Sequence, residues 1–200
     1  MKEKFDREHH LQDRLNSFLK QGLGLPNKDY YSNLDVDGFL KLKSILSGIN
    51  NIFTLKVSLA FAYWITRRLM LNQEIANGII SQITETKPNA NGYDLEISEP
   101  VKFIAEVKCN VPINAGTVYG SAQKTGIDKD IQALINGKSK SSINTDGYLK
   151  FMVFLDKPEI RNATEHFVKN MTSEKERIIF VNENTSIEAT ENVYVIYVGI

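Results

Sequence analysis

Two segments in the middle of the chain alternate apolar and polar residues, which is the period of a β-strand with one buried face. They run over residues 91–97 and 102–110, and from Tyr93 onward every odd-numbered residue in them is apolar, while the even-numbered residues are polar except Ile104. The link between them, residues 98–101, is too short for a crossover connection. The sequence therefore predicts an antiparallel hairpin.

Hydrophobic periodicity on both sides of this hairpin indicates what surrounds it. The most apolar stretch, 52–71, predicts a long helix packed on the sheet, and 72–85 either continues that helix or adds another turn. The remaining predicted helices are 2–20, 35–49 (ending near Gly48-Ile49-Asn50), 120–136 (with Ile127, Ile131, Leu134 and Ile135 facing inward) and 163–171, and the remaining predicted strands are 148–155, 177–181 and 193–198. This order predicts an α/β fold with a mixed central β-sheet flanked by helices.

The length and composition favour one soluble domain. A chain of 200 residues with 42% apolar and 24% charged residues buries a substantial core, so we expect an N-terminal helical segment, 1–50, followed by a single core, 51–200. Charged residues interrupt the apolar stretch at Lys56 and Arg67, which argues against a membrane span. The N-terminus resembles no signal peptide and Cys109 is the only cysteine, so a cytoplasmic protein without disulfides is expected.

The distribution of charge points to an anionic partner near the hairpin. The formal net charge is zero, which excludes a protein that coats nucleic acid through bulk electrostatics alone. Between Lys102 and Lys150, however, seven basic residues face four acidic ones, and from Phe151 onward five basic residues face eight acidic ones. The excess of positive charge therefore lies in and just after the hairpin.

The polar face of the hairpin carries the candidate chemistry. Asp94, Glu106 and Lys108 are predicted to converge there, an arrangement that is costly unless a divalent cation lies between the carboxylates. The alternative is a solvated strand face on which Glu106 and Lys108 form ordinary ion pairs. A phosphate-binding loop at Gly137-Lys138-Ser139 is rejected, because Gln132 stands where that motif requires glycine and no strand precedes it.

Asp94 followed by Glu106-Val107-Lys108, on a hairpin after a long helix and before another helix and strand, resembles the PD-(D/E)XK superfamily of restriction-endonuclease-like nucleases. Tyr93 occupies the position of the name-giving proline, and the resemblance covers residues 52–155. It implies a restriction-endonuclease-like sheet.

The resemblance also implies roles for individual residues. Asp94, Glu106 and the backbone carbonyl of Val107 would bind Mg²⁺, with Mn²⁺ as a substitute, and Lys108 would orient or deprotonate the attacking water. The resemblance also suggests Gln123 or Lys124 on the following helix and Glu74 on the preceding helix, and Glu96 is a further candidate because it shares the strand face of Asp94.

The function expected from this resemblance is a Mg²⁺-dependent DNA endonuclease of restriction-enzyme type that leaves 5′-phosphate ends. A chain of this size would act on DNA as a homodimer, because cutting both strands needs two sites. A second hypothesis is a catalytically inactive DNA-binding or assembly subunit of a restriction or defence system. A third is a related nuclease that acts on RNA, junctions or transposon ends.

Overall fold

A computed structural model of the chain describes residues 5–87, 92–113, 116–139, 141 and 143–200. The predicted turn at 87–92 therefore lies mostly outside the described residues. The chain divides into two compact units, Met1–Ile49 and Asn50–Ile200. Their boundary lies one residue from the predicted limit of the N-terminal helical segment.

The N-terminal unit is helical and is held together by polar contacts. Helix α1 spans Arg7–Ser17, a π-helical turn follows at Phe18–Gly22, and a 3₁₀ turn lies at Tyr31–Asn33. Asp29 links the last of these turns to α1, because its carboxylate accepts hydrogen bonds from Gln12 and Asn16 at 2.8 and 2.9 Å. None of the described residues in 5–49 is buried, so this unit has no apolar core of its own.

The helix break predicted at Gly48-Ile49-Asn50 is wrong. One helix, α2, runs without interruption over Val36–Arg68. Glycine costs a helix interior about 1 kcal/mol but removes no hydrogen bond, so it weakens α2 without ending it. The helix ends instead at Arg68. Met70 follows with a positive φ of 50°, and Asn72 then caps a separate helix, α3, at Gln73–Glu85.

The continuity of α2 can be tested at Gly48. A methyl group added there would meet no atom within 4 Å, so Gly48→Ala is expected to stabilise the protein by about 1 kcal/mol in urea unfolding followed by circular dichroism. Gly24 is the matched control: it is equally uncrowded but has a φ of +65°, so Gly24→Ala is expected to destabilise by about 1 kcal/mol. A destabilising Gly48→Ala substitution would contradict an uninterrupted helix.

The second unit is built on a mixed five-stranded sheet. Its strands are β1 (Leu95–Ile97), β2 (Phe103–Lys108), β3 (Leu149–Leu155), β4 (Ile178–Phe180) and β5 (Val193–Val198). Their order across the sheet is β1-β2-β3-β5-β4. Strands β1 and β2 pair antiparallel and all other neighbours pair parallel, which confirms both the predicted hairpin and the predicted mixed sheet.

Helices cover both faces of this sheet. The ring of Phe61 on α2 contacts Phe103 and Phe151 on one face, at centroid distances of 5.9 and 5.1 Å. On the other face lie α4 (Ser121–Asn136) and α5 (Pro158–Lys169). Every residue of β3 is buried, as predicted for a central strand, and so are the four residues of the predicted inward row of α4. The α/β class with a helix-flanked mixed sheet is therefore confirmed.

Helix α2 also meets the length and composition criteria for crossing a membrane. Core helices of soluble proteins meet the same criteria. In the second unit α2 buries Val57, Phe61 and Ile65 completely. This half of the helix thus supplies one layer of the core that supports the hairpin.

Candidate functional site

Asp94 is attached to the strand that carries Glu106. The β1–β2 register pairs Leu95 with Ala105, and its continuation by one residue places Asp94 opposite Glu106. Asp94 is exposed and lies just before β1, where its Oδ2 atom accepts a hydrogen bond of 2.8 Å from the backbone N–H of Val107. The Asp94 carboxylate is therefore held at the edge of β2, beside Glu106.

Glu106 is a buried carboxylic acid, since only 4% of the residue is exposed. Its Oε1 atom forms an ion pair with Lys138, whose ammonium nitrogen lies 2.5 Å away. The pKa of Glu106 is raised to about 7: burial makes the largest contribution, the negative charge of Asp94 adds to the rise, and the ammonium of Lys138 opposes it. Strong perturbation of a carboxyl by burial and a second carboxylate is typical of functional sites.

Lys108 points along the same face of the sheet but has a different partner. Its ammonium forms an ion pair with Asp130 on α4. In the described part of the chain this is its one ion pair with a carboxylate, so its charge is not directed at Asp94 or Glu106. The structure thus brings the two predicted carboxylates together and holds the predicted lysine against the neighbouring helix.

The carbonyl of Val107 faces the edge where Asp94 lies. In a β-strand the N–H and C=O groups of one residue point to the same side, and the N–H of Val107 points to Asp94. Among the described residues no group of three or more His, Cys, Asp or Glu side chains is arranged to hold a metal. Two carboxylates, one of them buried, and one carbonyl are hard oxygen donors that fit Mg²⁺, which retains several waters and needs only one or two protein carboxylates.

Open cavities adjoin the candidate residues on two sides. Asp94 borders a groove of about 420 Å³ that is also lined by polar residues of α2, α3 and the segment after α3, including Thr54, Ser58, Thr84 and Lys87. Lys108 borders a separate cavity of about 240 Å³ together with Asn110 and Gln123. A substrate in the larger groove would therefore contact Asp94, whereas Lys108 borders the smaller cavity.

The further candidates differ in their positions. Glu96 is half-buried on β1 and lines a cavity with Asp94, so it adjoins the site. Gln123 caps α4: it accepts from the Gly120 N–H and donates to the Val111 carbonyl, both at 3.0 Å. Lys124 is the next residue of that first turn.

Glu74 lies at the wrong end of its helix for a role in the site. It is exposed in the first turn of α3, whereas Ile83, Thr84 and Thr86 near the end of this helix line the groove that Asp94 borders. The nine residues from Glu74 to Ile83 span about 14 Å along the helix axis. The helix therefore separates Glu74 from the two carboxylates.

Sequence reasoning missed Lys138 and Asp130. Lys138 lies in the rejected phosphate-binding loop, and no local sequence pattern links it to Glu106, which is 32 positions earlier. Asp130 and Asp128 both lie on α4, and their spacing in the sequence does not show which of them pairs with Lys108. The charge count offered the one available signal, because the basic excess between 102 and 150 includes Lys138.

Comparison with known proteins adds no relative. No protein-family model matches the chain, and neither the curated proteins nor the solved structures contain a match.

Proposed function

We propose that this protein is a Mg²⁺-dependent DNA endonuclease with a PD-(D/E)XK-like core. The observation that carries the proposal is the Asp94 carboxylate bonded to the backbone of Val107, beside the buried acid Glu106. The order of elements supports it: an antiparallel hairpin with the acidic residues, then α4, then β3 parallel to β2. This is the order on which the resemblance to restriction-endonuclease-like nucleases rests.

Each residue has a role in phosphodiester hydrolysis. Asp94, Glu106 and the Val107 carbonyl would hold Mg²⁺, or Mn²⁺ as a substitute, and the bound cation would supply positive charge for the scissile phosphate and acidify water. Lys108 donates to the attacking water or to a phosphate oxygen from the same strand face. Asp130 fixes the direction of the Lys108 ammonium through their ion pair.

A homodimer follows from the proposed reaction, because two sites are needed to cut both DNA strands. The N-terminal unit supports this part of the proposal. Large apolar side chains are exposed there, among them Val36, Leu40, Ile45 and Leu46. A second copy of the chain would remove such a surface from water.

Plasmid cleavage tests the proposed function. Incubation of supercoiled plasmid with the protein and Mg²⁺ is expected to produce linear DNA, and EDTA is expected to abolish the reaction because both ligating carboxylates then lack their cation. Ligation and end-labelling of the products are expected to show 5′-phosphates. Cleavage that is unaffected by EDTA, or an intact plasmid across a panel of DNA sequences, would contradict the proposal.

One observation supports the second candidate function, a catalytically inactive DNA-binding or assembly subunit. Both lysines at the hairpin, Lys108 and Lys138, are already paired with carboxylates. Calorimetry separates the two functions, since a folded protein that binds DNA but neither Mg²⁺ nor Mn²⁺ would be the inactive subunit. Substrate panels with RNA and branched junctions distinguish the third possibility, a nuclease that prefers those substrates.

A further inference from the structure

Lys138 is surrounded by groups that normally attract a cation. Its ammonium lies 2.5 Å from the carboxylate oxygen Oε1 of Glu106, donates a hydrogen bond to the backbone carbonyl of Gly92, and sits 4.8 Å from the centroid of the Tyr93 ring. A carboxylate, a carbonyl and an aromatic face are all electron-rich. The ammonium of Lys138 therefore occupies a place that would also suit a metal cation.

The local backbone brings Lys138 to this place. Helix α4 ends at Gly137, whose φ of +86° turns the chain, and the Gly137 N–H bonds the carbonyl of Ala133 at 2.9 Å. The same carbonyl accepts a hydrogen bond of 2.8 Å from the hydroxyl of Tyr93. The end of α4 is thus tied to the start of the hairpin, and Lys138 follows directly.

A divalent cation and this ammonium cannot both occupy the site. They would compete for the same buried carboxylate of Glu106, and two positive charges close together in a buried site repel each other strongly. The Lys138 side chain is 24% exposed and ends a flexible four-carbon stem, so it has a route into solvent. Glu106, by contrast, stays buried and needs a positive partner whenever it is ionised.

We propose that Lys138 is a built-in competitor of the divalent cation: its ammonium neutralises Glu106 when no metal is bound, and metal binding displaces it into solvent. This inference rests on the proposed function, because it assumes that Glu106 is a metal ligand. Lys138 is a positioning residue in this scheme, since it acts through Glu106 and touches no reacting atom. The competition sets the metal concentration at which the enzyme becomes active.

Calorimetric titration with Mn²⁺ at pH 8.5 tests the competition. Lys138→Met removes the ammonium but keeps an unbranched side chain only one atom shorter, so Mn²⁺ is expected to bind at least about tenfold more tightly than to the wild type. Lys138→Gln is a second uncharged variant in case the methionine variant does not fold. Lys102→Met is the matched control, because Lys102 also lies over a tyrosine ring, at 6.0 Å from the Tyr148 centroid, but is remote from Glu106 in its contacts.

Displacement itself is measured by acylating the lysines of the wild type with a reactive ester and analysing the peptides by mass spectrometry. Mn²⁺ is expected to increase the labelling of Lys138 several-fold and to leave Lys102 unchanged. If the wild type and both Lys138 variants bind Mn²⁺ equally, the competition is overturned while the endonuclease proposal stands. If none of them binds Mn²⁺, the metal site fails and the endonuclease proposal fails with it.

Discussion

Asp94→Asn is expected to reduce Mg²⁺-dependent plasmid cleavage by at least about 1,000-fold, which corresponds to about 4 kcal/mol of transition-state stabilisation. Asparagine keeps the size of the side chain, and its carbonyl oxygen still accepts the hydrogen bond from the Val107 N–H. The substitution therefore removes the negative charge and leaves the local structure in place. A loss of cleavage activity of this size would therefore result from removing the negative charge of Asp94.

The other two residues of the proposed site provide the comparison. Glu106→Ala is expected to cause a similar loss, and Lys108→Ala a loss of about 100- to 1,000-fold, because it removes a proton donor and not a metal ligand. Glu99→Gln is the matched control, since Glu99 is an exposed acid on the link of the same hairpin. Full activity in the Asp94, Glu106 or Lys108 variant would contradict the assigned site.

The unfolding free energy is expected to fall by about 3 kcal/mol as the pH rises from 4.5 to about 7, because the pKa of Glu106 is raised to about 7 in the folded protein from its ordinary value of 4.5. In this window the folded state binds more protons than the unfolded state, so a rising pH favours unfolding. Well above pH 7 Glu106 is ionised in both states and contributes no further change. Urea unfolding at several pH values measures the effect.

Glu106→Gln isolates this contribution from those of the other acids. Glutamine is neutral at every pH, so the free energy of unfolding of the variant minus that of the wild type is expected to grow by about 3 kcal/mol across the same window. Mn²⁺ at pH 8 is expected to stabilise the wild type by mass action and to leave the variant unchanged. A pH dependence that is identical in the two proteins would show that the Glu106 carboxyl is not perturbed by burial.

The hairpin and its neighbours were predictable because their patterns are local. Strict alternation around Ala105 and Val107 determines which side chains share a face, and β1 and β2 pair as this alternation requires. The inward row of α4 follows from helical spacing in the same way. The end of α2 was not predictable from local pattern, because Gly48 permits a helix as well as a break.

The partners of the charged side chains were not predictable from the sequence. Lysine has a long flexible stem, and its ammonium binds whichever carboxylate the fold brings near it. Lys108 was expected beside Glu106, which lies two residues away on the same strand, but it pairs with Asp130 on α4. Lys138 reaches Glu106 only because α4 ends directly above the hairpin.

The sequence by itself determined the acidic hairpin, the buried central strand and the placement of two carboxylates on adjacent strands. These features depend on residue periodicity and on short connections, which act over a few residues. Only the tertiary structure decided that Glu106 is buried, that Asp94 is bonded to the Val107 backbone, and that Lys138 neutralises the site. Burial and ion pairing depend on which distant segments meet, and it is these two effects that raise and lower the pKa of Glu106.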